Sequence, residues 1–186
     1  MALGANLGDP LAALIAAASA LARLGELVAV SPAWRTAPVG GPADQPAYRN
    51  AALLWRPAPP WREPASALAA MLAVERGLGR VRRERWGPRR IDLDLLAWDA
   101  ADGRLGATRP RPSRRGDPPE LPHPRALGRA FVLLPWAAVA PDWVHPGAGR
   151  SLADLAGASD RSGAELVAGA EARRWAAAFG PHAGPW

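Results

Sequence analysis

The 186-residue chain has no cysteine, one tyrosine, two phenylalanines and three histidines, and every one of its 23 basic side chains is arginine. Without cysteine there is no disulfide, no thiolate metal ligand and no thiol nucleophile, which suits a reducing compartment and leads to the expectation of a cytoplasmic protein. Long apolar runs are missing too. The Ala-rich stretch from Leu11 to Leu24 is interrupted by Ser19 and Arg23, and no basic segment precedes an apolar one at the start, so neither a membrane span nor a secretory leader is expected. The absence of lysine, together with abundant Ala, Gly and Pro, reads as compositional bias, so a single arginine means little. Their distribution means more: residues 1–75 hold five Arg against five acids, residues 130–186 four against five, and residues 76–129 fourteen against seven. The positive field is local and draws anions.

At this length one domain with a real core is expected. Residues 2–5 read as a short strand, Leu11 to Leu24 as a helix with Gly25 as its C-cap, and Val28 to Trp34 as a strand. Thr36 to Pro46 is dense in Gly and Pro and reads as a loop. Tyr48 to Trp55 is the next strand, Pro64 to Gly77 a helix, and Ile91 to Trp98 a strand. Asp99 to Gly106 reads as hairpin-like, and residues 108–119 as a mobile Pro/Arg insertion. A short helix is expected within His123 to Leu134, and another near Glu171 to Phe179. The order strand, helix, strand, strand, helix, strand predicts an α+β fold, a ferredoxin-like sandwich of an antiparallel sheet with its helices stacked on one side. Residues 1–160 are expected to form the domain, with 161–186 an extension of unknown role.

The most informative window lies between Arg80 and Asp94. Arg80, Arg82, Arg83, Arg85, Arg89 and Arg90 surround a Trp86-Gly87-Pro88 turn, and the run closes on Asp92-Leu93-Asp94. In a strand Asp92 and Asp94 share a face while Leu93 takes the other. Two carboxylates this close oppose each other's ionisation unless a cation lies between them. Mg²⁺ suits that arrangement because it takes hard oxygen ligands and completes its shell with substrate phosphates, and guanidinium forks match phosphate oxygens. An isolated D-x-D would more often be a solvated strand end.

Arg85-Trp86-Gly87-Pro88-Arg89-Arg90-Ile91-Asp92-Leu93-Asp94-Leu95-Leu96 resembles the signature of the 6-hydroxymethyl-7,8-dihydropterin pyrophosphokinase family of folate biosynthesis. Leu3-Gly4-Ala5-Asn6-Leu7-Gly8 resembles that family's opening strand and turn, and Tyr48-Arg49-Asn50-Ala51-Ala52 its pterin-side strand. Leu121-Pro122-His123-Pro124-Arg125 and Arg129-Ala130-Phe131-Val132-Leu133 resemble the segment that closes the site. The resemblance implies transfer of a pyrophosphoryl group from ATP to the pterin's hydroxymethyl oxygen, with two Mg²⁺ ions held by Asp92 and Asp94. It implies phosphate contacts from Arg80 and Arg89, and nucleotide-side contacts from Glu75, Trp86, His123 and Arg129. It further implies a pterin site formed by Thr36, Pro38, Val39, Gly40, Tyr48, Asn50 and Phe131. A monomer acting on small molecules, without nucleic-acid or membrane partners, is expected.

By periodicity alone Phe131 is a core position, Tyr48 a strand anchor, Asn50 an edge residue, His123 an exposed histidine and Glu75 solvated surface. The chain departs from the family pattern in a short opening strand, in Leu72 where some members carry glutamine, and in a basic loop one residue shorter than in some relatives. The local arginines with Trp86 and Trp98 also suit a nucleic-acid-binding module, although Asp92 and Asp94 would repel a phosphate backbone unless metals intervened. A metal-dependent nuclease would answer that objection but leaves Tyr48, Asn50 and Phe131 without a role. A catalytically silent protein would place no demand on the Asp pair.

Overall fold

Strand β4 (Tyr48–Pro57) is central because its apolar residues face both ways: Ala51 and Leu53 enter one core and Ala52 the other. The computed structural model describes residues 1–81, 87–98 and 119–180. Around β4 an antiparallel sheet runs in the order β5–β1–β4–β3–β8, with β2 pairing the far half of β4. The remaining strands are β1 (Ala2–Ala5), β2 (Gly25–Val30), β3 (Trp34–Thr36), β5 (Asp92–Asp94) and β8 (Ala164–Leu166), while β6 (Val144–His145) and β7 (Arg150–Ser151) form a separate hairpin.

Helix α1 (Pro10–Ala22) begins where expected, for local reasons. Asp9 accepts the Ala12 N–H at 2.9 Å, and Pro10 occupies the first turn, where its missing N–H costs nothing. Its end differs from expectation: Arg23 is the C-cap, and Gly25 starts β2 instead. A side chain at Gly25 would lie 2.4 Å from the Arg56 carbonyl oxygen, so close strand pairing is what requires glycine there.

The expected strand from Val28 to Trp34 is two strands. Pro32 cannot donate to a ladder, and the break is bridged by Ser31, whose N–H donates to the Ala52 carbonyl while its hydroxyl accepts the Ala52 N–H, each at 2.9 Å. The strand expected over Ile91 to Trp98 is regular only across Asp92–Asp94, although Leu95 and Leu96 remain buried. Residues 123–129 form successive turns rather than a helix. Helix α3 spans Ala130–Val139 and runs on through Pro135. The hairpin expected at 99–106 and residues 108–118 of the expected insertion lie outside the described residues.

Helices cover both faces of the sheet, not one. Helix α1 packs with Leu3, Ala5, Leu53 and Leu93 on the first face, where α2 (Pro64–Gly77) contributes Met71. Helices α3 and α4 (Leu152–Gly157) cover the second face through Leu133, Trp136 and Leu152. Two-sided burial of β4 is the reason, since each apolar face needs its own cover. Residues 161–180 add β8 to the sheet edge and α5 (Gly169–Phe179) to the first face, where Trp175 and Phe179 join the core. Among the described residues no helix is long and apolar enough to cross a membrane.

Candidate active site

The pairing register lines up the functional side chains. Asp92 lies opposite Gly4, Gly4 opposite Asn50, and Asn50 opposite Trp34; one step along, Asp94 lies opposite Ala2 and Ala2 opposite Ala52. Residues paired directly across strands share a face. Asp92, Asp94, Asn50, Tyr48 and Thr36 therefore all project toward the α3 side, and Leu93 projects into the opposite core as alternation requires.

Small residues make the floor. Over Ala2 and Gly4 the surface sinks into a pocket of about 270 Å³, whose walls include Thr36, Val39, Gly40, Tyr48 and Asn50 on one side and Arg89, Asp92, Asp94, Arg129 and Phe131 on the other. Ala37 and Val132 also line it. These two and the floor residues were not singled out as contacts in the sequence. A glycine inside a strand is a usable signal of close approach, and Gly4 bears it out: a Cβ there would sit 2.8 Å from the Asn50 Oδ1. The Asn50 amide donates to the Thr36 hydroxyl at 2.8 Å, so one edge of its carboxamide is fixed and the other faces Gly4.

Asp92 and Asp94 have different surroundings. Asp92 pairs with both Arg80 and Arg89, one to each oxygen. Asp94 enters no ion pair among the described residues, and burial, reinforced by the Asp92 charge, pushes its pKa up from the ordinary aspartate value. His123 and Arg129 lie within electrostatic reach and oppose that shift. Burial in turn pulls His123 below the usual histidine value, against the Asp94 charge. Its Nδ1 accepts the Arg125 N–H at 3.2 Å. Burial and neighbouring Arg125 pull Arg129 down as well, and its guanidinium lies 5.6 Å from the centre of the Phe131 ring. Arg129 is thus a cation on the pocket wall without a carboxylate paired to it among the described residues.

Glu75 and Arg80 stand behind this wall. The Glu75 side chain is 2% exposed; its Oε1 accepts the Leu93 N–H at 2.7 Å and a hydrogen bond from Arg80. Burial works against the Arg80 charge, but the Glu75 hydrogen bond and nearby Asp92 outweigh it and push its pKa up. Glu75, Arg80, Asp92 and Arg89 thus form one chain of alternating charge. Glu75, Arg80, Pro38 and His123 do not line the pocket, and Trp86 lies outside the described residues.

Asn6 and Gln45, also unassigned from the sequence, connect the two walls. Asn6 accepts the Arg89 N–H at 2.8 Å through Oδ1 and donates to the Pro46 carbonyl at 3.1 Å. Gln45 donates to the Gly40 carbonyl at 3.3 Å, and its Oε1 accepts from the Tyr48 hydroxyl at 3.4 Å.

Two carboxylates, two arginines and two aromatic rings thus line one pocket. Residues 1–141 match the family described as 7,8-dihydro-6-hydroxymethylpterin-pyrophosphokinase (HPPK). The chain belongs to the HPPK family. It is 42% identical over 174 residues to the 2-amino-4-hydroxy-6-hydroxymethyldihydropteridine pyrophosphokinase of Pseudomonas aeruginosa, covering 91% of this chain and 96% of that protein. It is 40% identical over 144 residues to the Mycobacterium tuberculosis protein of the same name, covering 76% and 71% of the two chains. The Synechocystis protein of that name is 36% identical over 155 residues, covering 82% and 71%. In this member of the HPPK family an acidic, arginine-bearing wall and a small aromatic-lined one meet in one pocket, an arrangement that an extended nucleic-acid groove does not require.

Proposed function

We propose that the protein transfers a pyrophosphoryl group from ATP to the hydroxymethyl oxygen of 6-hydroxymethyl-7,8-dihydropterin, in folate biosynthesis. The observation that carries this reading is the single pocket in which Asp92 and Asp94 face Asn50, Tyr48 and Phe131 across the Gly4 floor. The hydroxymethyl oxygen bonds to the β-phosphorus of ATP, the bond joining the α- and β-phosphates through oxygen breaks, and AMP leaves. The hydroxyl proton passes to solvent.

The donor set fits Mg²⁺. Two carboxylates on one strand face are what this ion takes from protein when phosphates and water supply the rest, and no cluster of three or more His, Asp or Glu exists among the described residues to form an all-protein cage. Asp92 and Asp94 would hold two such ions, whose chemistry when bound would be to offset phosphate charge. Arg89 and Arg129 bind phosphate oxygens, and Arg129, unpaired by carboxylate among the described residues, gains most from an anion. Arg80 keeps Asp92 in place and reaches the phosphates when ATP displaces part of its pairing. His123 offers a hydrogen bond to the nucleotide. Tyr48 and Phe131 enclose the flat pterin, and the Asn50 carboxamide, fixed by Thr36, reads its amide edge. Val39 and Gly40 close the outer wall with the backbone at Pro38.

The decisive assay is AMP release from ATP and Mg²⁺ with and without 6-hydroxymethyl-7,8-dihydropterin, with mass detection of the pterin product. Pterin-dependent AMP and a diphosphorylated pterin are expected; AMP release indifferent to pterin would reject the reading. A second expectation concerns the floor. Gly4→Ala forces the Asn50 carboxamide off its position and should raise the KM for the pterin about tenfold while the KM for ATP stays within about twofold. Equal changes in both constants would show that Gly4 matters only for folding.

A further inference from the structure

The structure fastens the last part of the chain's described C-terminal region, residues 161–180, directly behind the pterin wall. β8 runs along the whole of β3. Val167 N–H donates to the Ala33 carbonyl at 3.0 Å, Trp34 and Thr36 pair with Leu166 and Ala164, and Ala37 N–H donates to the Gly163 carbonyl at 2.9 Å. β3 is the strand that presents Thr36 to Asn50 and leads into the Ala37–Gly40 wall. Gly163 has φ +72° and a Cβ there would lie 3.2 Å from that of Ala37, so this approach is built for glycine.

Helix α5 then grips the opposite face of the sheet. Trp175, 2% exposed, donates its indole N–H to the Ser31 carbonyl at 2.9 Å. Glu171 takes a bidentate ion pair from Arg49, with Nε–H to Oε2 at 3.1 Å and Nη2–H to Oε1 at 2.9 Å. Arg49 sits between Tyr48 and Asn50 on β4, and its neighbours point into the pocket while it points away. Any shift of the Arg49 backbone therefore moves both pterin contacts.

We propose that β8 and α5 form a brace that holds the pterin wall in its binding geometry, with Arg49 and Glu171 as positioning residues; this rests on the pterin reading above. The fork geometry of the pair favours orientation over bulk stability, because Glu171 is 41% exposed at its side chain and Arg49 only 15%. Holding groups in the reacting geometry shows up as ligand affinity and rate more than as melting temperature.

The test is a fluorescence titration of 6-hydroxymethyl-7,8-dihydropterin into the full chain with Mg²⁺ and a non-hydrolysable ATP analogue, alongside titration of the analogue itself and a thermal midpoint. Glu171→Gln and Arg49→Leu should each weaken pterin binding about fivefold, with the double variant no weaker than either single one, and analogue binding should stay within about twofold. Arg174→Gln, which breaks the exposed α5 pair to Asp9, should leave pterin binding unchanged. Unaltered pterin affinity in both Arg49 and Glu171 variants, or equal weakening of both ligands, overturns the brace. Wild-type protein that binds no pterin at all would reject the functional reading, and the brace with it.

Discussion

Asp94→Asn should lower kcat by about a thousandfold or more while making the metal-free protein more stable. The first effect follows from losing a hard anionic ligand at the site proposed for Mg²⁺. The second follows from Asp94's surroundings: its carboxylate is buried, adjoins Asp92 and takes no ion pair among the described residues, so its pKa lies above the ordinary aspartate value. A raised pKa means that the native state holds this proton more tightly than the unfolded chain does. Native stability therefore falls as pH rises from the ordinary aspartate value through the raised one. Asparagine removes the carboxyl group, so the variant should be more stable than the parent at pH 7 without metal, an advantage that fades as pH falls through the carboxylate range. Mg²⁺ with an ATP analogue should raise the melting temperature of the wild type far more than that of the variant. Calorimetry at two pH values with and without Mg²⁺ measures all of this, and a variant with near wild-type turnover would remove Asp94 from the mechanism.

Glu75→Ala should cost about 3–5 kcal/mol of folding stability and most of the activity. One buried oxygen of Glu75 serves both the Leu93 N–H and Arg80, so truncation strands a buried backbone donor and loosens a largely buried guanidinium together. Leu93 lies between the two aspartates, and Arg80 pairs with Asp92, so the same loss disturbs the carboxylate pair from both sides. Glu75→Gln keeps an acceptor for Leu93 but not the charge facing Arg80, and about half the cost should remain. Urea denaturation compares the three proteins. If Glu75→Ala were as stable as the parent, the carboxylate would be a bystander to the architecture.

Some of this site was readable because its chemistry is local. The Asp92–Asp94 alternation needs only the strand's period of two, and the Arg-rich approach with its Trp-Gly-Pro turn is contiguous. Asn50, Tyr48 and Phe131 became candidates through resemblance, not through pattern, since each also fits an ordinary structural place. Glu75 shows the limit more sharply. Near the end of a helix it reads as solvent-facing, yet it is buried because a backbone N–H eighteen residues later and a guanidinium five residues later converge on it. Helical position alone does not reveal such a partner.

The tail shows the same limit on a larger scale. Its helix over Glu171 to Phe179 was expected, but Glu171 meets Arg49 across 122 residues of chain and Trp175 meets Ser31 across 144. The placement of helices on both sheet faces was missed for a related reason. Alternation in β4 runs Ala51, Ala52, Leu53, and small apolar residues on both sides give no contrast from which to count layers.

By itself, then, the sequence determined the first strand, helices α1, α2 and α5, strand β4, the local positive field, the carboxylate pair and the chemistry they suit, because these depend on neighbours within a few residues. Only the tertiary structure decided that Gly4 makes room for Asn50, that Glu75 supports the wall from behind, and that the chain's last described helix backs the strand that carries Tyr48 and Asn50. Those facts depend on strand register and sheet order, which arise from burial of both faces at once.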